Sequence, residues 1–70
     1  MPTFYAICAD VFEQRNYKEE FDLPDANSAL EAIIKTLPDD WEGSIEIRDT
    51  KTLSDRKFPL IDFWRTPIKR

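Results

Sequence analysis

Carboxylates are the residues whose type and spacing best suit this chain to chemistry. Seven of them fall in two short runs, which are Glu19, Glu20, Asp22 and Asp25 in the first and Asp39, Asp40 and Glu42 in the second. Closely spaced carboxylates can bind Mg²⁺ or Ca²⁺, or act as a general acid and base. They can also compete with phosphates for the Lys and Arg residues of a partner. The plainest alternative is a solvated strand edge that discourages aggregation.

The rest of the composition argues against catalysis and metal binding. Histidine is absent and cysteine occurs once, so the chain has no intrachain disulfide, no Cys-His zinc site and no Ser-His-Asp triad. The run Asp39–Gly43 does not match the twelve-residue calcium loop. A chain of 70 residues also rarely builds a deep cleft. We therefore expect no enzyme activity, no metal and no cofactor.

Charge is unevenly distributed along the chain. Residues 1–50 hold twelve acids and four bases, a net charge of −8, whereas residues 51–70 hold two acids and six bases, a net charge of +4. An acidic body repels phosphate, so we expect a basic protein surface as partner and no direct nucleic-acid binding. The basic C-terminal residues Arg65, Lys69 and Arg70 are expected to pair with the domain's own acids. Contact between these bases and nucleic acid is the alternative.

No segment is apolar for long enough to span a membrane, and the N-terminus lacks the pattern of a signal peptide. The single cysteine, Cys8, is typical of a reducing compartment. We therefore expect a cytoplasmic protein with no membrane partner.

Aromatic residues exceed what one small core is expected to bury. The nine are Phe4, Tyr5, Phe12, Tyr17, Phe21, Trp41, Phe58, Phe63 and Trp64. Because tryptophan is a favoured interface anchor, Trp41 and Trp64 are candidates for partner contact. The alternatives are a lid over the end of a helix for Trp41 and packing within a sheet for Trp64. The candidate partner-binding residues are Glu19, Glu20, Asp22, Asp39, Asp40, Trp41, Glu42 and Trp64.

Two strands are predicted in the first third of the chain. The segment Thr3 to Glu13 alternates, and we assign its uncharged set to the core and its other set to the outer face. The core set is Tyr5, Ile7, Ala9 and Val11, and the outer set is Phe4, Ala6, Cys8, Asp10 and Phe12. Tyr17 to Leu23 forms the second strand after a turn at residues 14–16. A three-residue turn places Phe21 on the Ile7 face, and a two-residue turn places it on the Phe4 face, so the register stays open.

The rest of the chain predicts one helix and two further strands. Ser28 and Glu31 form a capping-box pattern, so we expect a helix from Ser28 to about Leu37, stopped by Pro38. Ser44 to Asp49 is predicted as a strand with Ile45 and Ile47 facing inward. A polar loop then covers Thr50 to Arg56, a strand covers Lys57 to Arg65, and a flexible basic tail covers Thr66 to Arg70.

These elements predict a single domain over residues 1–70 of the α+β class. The expected architecture is a four-stranded antiparallel sheet with one helix on one face, in the order β-β-α-β-β. One short helix cannot cover both faces of such a sheet. The opposite face must therefore be exposed to solvent or bound by a partner.

The order of these elements resembles small accessory proteins of phages and mobile elements, including proteins of the anti-CRISPR type. The resemblance is carried by a hairpin, the pattern Ala26-x-Ser28-x-x-x-Ala32, a Trp-x-Gly loop at Trp41 and Gly43, and a second hairpin. It implies a non-enzymatic inhibitor that binds an RNA-guided effector complex and blocks target DNA. The positively charged channels of such complexes suit an acidic mimic of DNA. The alternative is a small dimerising accessory domain, so the chain is expected to be a monomer or a homodimer.

Overall fold

The structure, a computed structural model that describes residues 2–68, is built on a four-stranded antiparallel sheet. Strands β1 (Thr3–Asp10), β2 (Tyr17–Asp22), β3 (Gly43–Asp49) and β4 (Ile61–Arg65) lie in the order β2-β1-β3-β4. Helix α1 (Ala26–Thr36) joins β2 to β3, and helix α2 (Thr50–Asp55) joins β3 to β4. The antiparallel sheet and the α+β class are confirmed. The element order is β-β-α-β-α-β, because the chain has a second helix that we did not predict.

Helix α2 replaces the polar loop that was predicted for this segment. Its N-cap, Asp49, accepts the backbone N–H of Thr52 at 2.7 Å, and the Thr52 hydroxyl accepts the backbone N–H of Asp49 at 2.9 Å. This reciprocal capping box satisfies two backbone donors at the start of the helix. Arg56 then ends the helix in the left-handed conformation, with φ of 55°. The following strand begins at Ile61, not at Lys57.

Helix α1 begins earlier than predicted. Asp25, not Ser28, is the N-cap, and its carboxylate accepts the backbone N–H of Ser28 at 2.7 Å. Ser28 is therefore the N3 residue of the helix. The hydrogen bonds from Ser28 hold the pKa of Asp25 below its ordinary value of 3.8. The helix ends one residue before Leu37, as Pro38 requires.

The predicted inward face of β1 is wrong. Phe4, Ala6, Cys8 and Asp10 are the buried residues, whereas Ala9 and Val11 are exposed and Tyr5 and Ile7 are half-buried. The strand ends at Asp10, so the connection to β2 is six residues long, and Phe4 pairs with Phe21. This register places Phe21 on the Phe4 face, which was the other of the two registers considered.

One face of the sheet and one face of α1 enclose the core. Ala29 and Ile33 of α1 pack with Leu37 over the buried residues of β1 and over Ile45 and Ile47, which face inward as predicted. The other side of the sheet, which we call the open face, carries alternating charged, polar and apolar residues. They are Tyr5, Ile7, Ala9, Lys18, Glu20, Asp22, Ser44, Glu46, Arg48, Asp62 and Trp64.

We expect Asp25→Ala to lower the free energy of unfolding, and Ser28→Ala to change it less, because Asp25 is the cap. The folded pKa of Asp25 is lowered, so its contribution is present above the unfolded pKa near 3.8 and is lost as pH falls through the folded pKa. Urea denaturation at neutral pH and in acid measures both effects. A larger loss from Ser28→Ala than from Asp25→Ala would contradict this assignment.

Candidate partner-binding surfaces

The first acidic run forms one edge of the sheet. Glu19, Glu20 and Asp22 are exposed on the edge strand β2, and Asp25 follows at the start of α1; we call these four residues the acidic edge. Two of the four carboxylates have structural roles, because Asp22 accepts the Thr3 hydroxyl at 2.8 Å and Asp25 caps α1. Within residues 2–68, Glu19 and Glu20 form no ion pair. Their charge therefore faces solvent.

The second acidic run is tied into the fold. The Asp40 carboxylate accepts a hydrogen bond from the Arg15 guanidinium at 2.9 Å, and this bond holds the pKa of Asp40 below its ordinary value. The backbone carbonyl of Asp39 accepts the Ile68 N–H, and that of Glu42 accepts the Val11 N–H, each at 2.8 Å. The loop therefore joins two other segments, the connection between β1 and β2 and the segment after β4, through its backbone and one ion pair.

The far end of the first acidic run is distant from the second run. Asp22 pairs with Thr3 at one end of β1, whereas Gly43, which follows the second run, pairs with Asp10 at the other end. With about 3.4 Å per residue, these two ends are about 24 Å apart. A partner would have to span the length of the sheet to contact both Asp22 and the second run, whereas Glu19 lines a small cleft with Leu37 and Pro38, directly before the second run.

Trp41 is a core residue and cannot anchor a partner. Its side chain is 0% exposed, and its indole Nε1–H donates to the backbone carbonyl of Arg15 at 2.8 Å. Two roles were considered for this residue, contact with a partner and a lid over the end of a helix. Contact with a partner is excluded, since no surface of the ring is accessible. The acids around Trp41 point outward while the ring points inward.

Gly43 is required beneath the ring of Trp41. A Cβ at this position would lie 2.8 Å from Cη2 of Trp41 and would overlap the backbone carbonyl of Ala9. On the same face, Gly43 pairs with Asp10 on one side and with Arg65 on the other. The spacing Trp-x-Gly is therefore a packing motif.

Two charged side chains are buried at this end of the sheet. The Asp10 carboxylate accepts the backbone N–H of Arg15 at 3.2 Å, and the Arg65 guanidinium donates to the Pro38 carbonyl at 2.6 Å. Oδ1 of Asp10 and Nη2 of Arg65 have no hydrogen-bond partner among residues 2–68. Arg65 therefore binds the backbone at the end of α1. Lys69 and Arg70, the rest of the predicted basic cluster, lie outside the described residues.

The opposite edge of the sheet is apolar. We use the name aromatic edge for the exposed apolar residues of β4 and its flanks, which are Phe58, Leu60, Phe63, Trp64 and Ile68. Phe58 is 93% exposed and Trp64 is 52% exposed. Trp64 is thus accessible to a partner, in contrast to Trp41. Trp64 was a candidate partner contact from the sequence, whereas Phe58, Leu60, Phe63 and Ile68 were not, because apolar residues on both sides of the predicted strand Lys57 to Arg65 do not show which of them stay exposed.

A shallow groove of about 740 Å³ lies between α2 and β4 on the open face. Its charged lining is mixed, since Glu46 and Asp62 face the basic residues Arg48, Arg56 and Lys57. The Arg48 guanidinium is already occupied by Glu46 at 3.3 Å and by the carbonyls of Thr52 and Lys57. The groove therefore selects neither an anion nor a cation.

Cys8 is not a nucleophile. It is buried under α1, and burial, together with the nearby charge of Glu19, raises the pKa of its thiol to about 11. The thiolate is the reactive form, so Cys8 is inert near neutral pH.

Comparisons with protein-family models, with curated proteins and with solved structures yield no match for this chain. Among residues 2–68, no cluster of three or more Cys, Asp or Glu side chains is arranged to hold a metal ion. Neither described helix is long and apolar enough to cross a membrane.

Because Trp41 is buried and Trp64 is half exposed, alanine substitutions at the two positions should differ in their effects. We expect Trp41→Ala to cost about 3–5 kcal/mol of folding free energy, as large core truncations do. We expect Trp64→Ala to cost about 1 kcal/mol or less. Chemical denaturation followed by circular dichroism compares the two. Equal losses would contradict the exposure of Trp64.

We expect Gly43→Ala to destabilise the fold by about 1–3 kcal/mol, because the added methyl group displaces Trp41 or the Ala9 carbonyl. Ser44→Ala, one residue further along β3 and on the open face, is the matched control. Thermal unfolding of both variants measures the difference. A neutral Gly43→Ala would show that the ring does not depend on this glycine.

Proposed function

We propose that the chain is a non-enzymatic binding protein that docks its acidic edge onto a basic protein surface. The observation that carries the proposal is the exposure of Glu19 and Glu20 on an edge strand, with no cation among residues 2–68 paired to either. Negative charge held on a rigid strand steers the molecule toward a positive surface and discriminates against acidic ones. The acidic body also disfavours contact with DNA or RNA.

The acidic edge is a better candidate than the second acidic run. Asp40 is neutralised by Arg15, and Asp39 and Glu42 support the loop through their backbones. Trp41, the residue of this loop that was a candidate for partner contact, is buried. A partner that bound Asp40 would first have to displace Arg15. One ion pair would form and one would break, so the net gain in binding free energy would be small.

The proposed target class is the basic surface of a nucleic-acid-binding complex, with an RNA-guided nuclease as the specific candidate. The channels of such complexes carry positive charge for the backbones of the guide and the target. Carboxylates docked there would compete with target DNA and inhibit the complex. On this proposal the protein acts in the cytoplasm of the cell that contains the complex.

Burial of the open face against a second copy, the other candidate considered, is not favoured. That face carries six charged side chains, which are Lys18, Glu20, Asp22, Glu46, Arg48 and Asp62. Removing them from water without matched partners would cost more than burying Tyr5 and Ile7 would return.

We expect the triple variant Glu19→Lys, Glu20→Lys and Asp22→Lys to weaken binding to the target about tenfold or more, because each Lys opposes a positive surface. The probe is a panel of purified RNA-guided nuclease complexes, assayed for target-DNA cleavage and for direct binding across a salt series. Binding of the unaltered protein should weaken as salt rises.

A charge-matched control separates this edge from net charge. The variant Glu13→Lys, Glu31→Lys and Asp55→Lys changes three exposed acids outside β2 by the same total charge. Loss of binding in the first triple variant alone supports the proposal, provided that circular dichroism shows both folded. Equal loss in both, or binding unaffected by salt, would contradict docking through the acidic edge. No binding to any complex would exclude the proposed target class.

A further inference from the structure

The two edges of the sheet differ in how they are protected from pairing with another strand. Every position of β2 from Lys18 to Asp22 except Phe21 is charged, which blocks edge-to-edge association. Strand β4 carries only Asp62 and Arg65 as charges, and the Arg65 guanidinium is buried against the Pro38 carbonyl. The aromatic edge therefore has one exposed charge within β4, Asp62, and is flanked by exposed apolar side chains.

The backbone of β4 offers hydrogen-bonding groups at this edge. The Val11 N–H donates to the Glu42 carbonyl, which fixes the hydrogen-bonding phase of β1 with β3. Residues that bond to one neighbouring strand alternate with residues that bond to the other, so Ser44 bonds toward β1 and Ile45 bonds toward β4. Phe63, the partner of Ile45, therefore bonds toward β3. The N–H and C=O groups of Asp62 and Trp64 therefore point outward, toward the side where the described residues provide no further strand.

We propose that β4 pairs antiparallel with β4 of a second copy, about a two-fold axis at Phe63, to form a continuous eight-stranded sheet. In this register Phe63 faces Phe63 of the second copy, and Asp62 faces Trp64. The outward groups of Asp62 and Trp64 then bond to each other across the axis. The pairing is self-complementary, as a two-fold interface requires.

Charge excludes one neighbouring register at this edge. Two copies that each carry a net charge of −4 repel, and residues 51–70, which include β4 and carry a net charge of +4, also repel their counterparts, so the exposed apolar side chains supply the attraction. Moving the axis to Asp62 would place two carboxylates directly opposite each other, which is destabilising. With the axis at Phe63, no charge faces a like charge. Phe58, before β4, also comes near Ile68 of the second copy, after β4.

The inference does not depend on the proposed function, since the dimer leaves β2 at both outer ends of the sheet. Dimerisation and docking of the acidic edge also respond to salt in opposite ways. Salt screens the repulsion between acidic copies and so strengthens the dimer, whereas it weakens docking of the acidic edge on a basic surface.

Analytical ultracentrifugation over a concentration series tests the dimer. We expect a monomer–dimer equilibrium whose dissociation constant rises about tenfold or more in Phe63→Lys. Tyr17→Lys is the matched control, because Tyr17 lies at the β2 end of the same row of the sheet and is 37% exposed against 38% for Phe63. The control should dimerise as the unaltered protein does.

Cysteine cross-linking tests the register. Residues paired as Phe63 with Phe63 have Cα atoms about 4.5 Å apart, within disulfide range. Phe63→Cys should therefore cross-link under mild oxidation, and Trp64→Cys and Tyr17→Cys should not. Cys8 is buried and does not interfere. A monomer at all concentrations, an open series of larger oligomers, or cross-linking through Trp64→Cys in place of Phe63→Cys would each overturn the proposal.

Discussion

Packing of Trp41 on Gly43 is the contact on which one end of this small sheet depends. The ring occupies the space that a side chain at position 43 would fill, and its Nε1–H holds the loop before β2 through the Arg15 carbonyl. The same loop then reaches back to the Asp40 carboxylate. A single indole thus links the connection between β1 and β2, the exit of α1 and the start of β3. A 70-residue chain needs such a link because its core is thin.

This arrangement determines what is left at the surface. With Trp41 used in the core, the accessible aromatic residues concentrate along β4, and with Arg15 used on Asp40, unpaired negative charge concentrates along β2. The strands at the two ends of the sheet therefore differ in chemistry. The acidic one suits a basic partner and resists strand pairing. The apolar one has the backbone groups and the side chains that strand pairing uses.

Some of the fold follows from local patterns, and some depends on distant contacts. Ile45 and Ile47 were predicted inward because charged residues alternate with them. The face of β1 was not predictable in this way, since both of its faces are apolar. Asp10 was misleading there, because one oxygen of its buried carboxylate accepts the Arg15 N–H five residues later. The exact hairpin length, which sets the register, carries no strong local signal.

The residues of the candidate site also differ in whether they could be predicted from local pattern or depend on distant contacts. Alternation in Tyr17 to Leu23 predicts that Glu20 points away from the Phe21 side of the strand. Glu19 lies on the Phe21 side and is exposed because β2 is at the edge of the sheet. The burial of Trp41 could not be predicted from local pattern, because its partners Arg15 and Gly43 meet only when β1 and β3 pair. The open face is poorly suited to association. Its mixed charges leave little apolar area for a partner, so association in a sheet of this kind moves to its edges, where backbone groups are still unpaired.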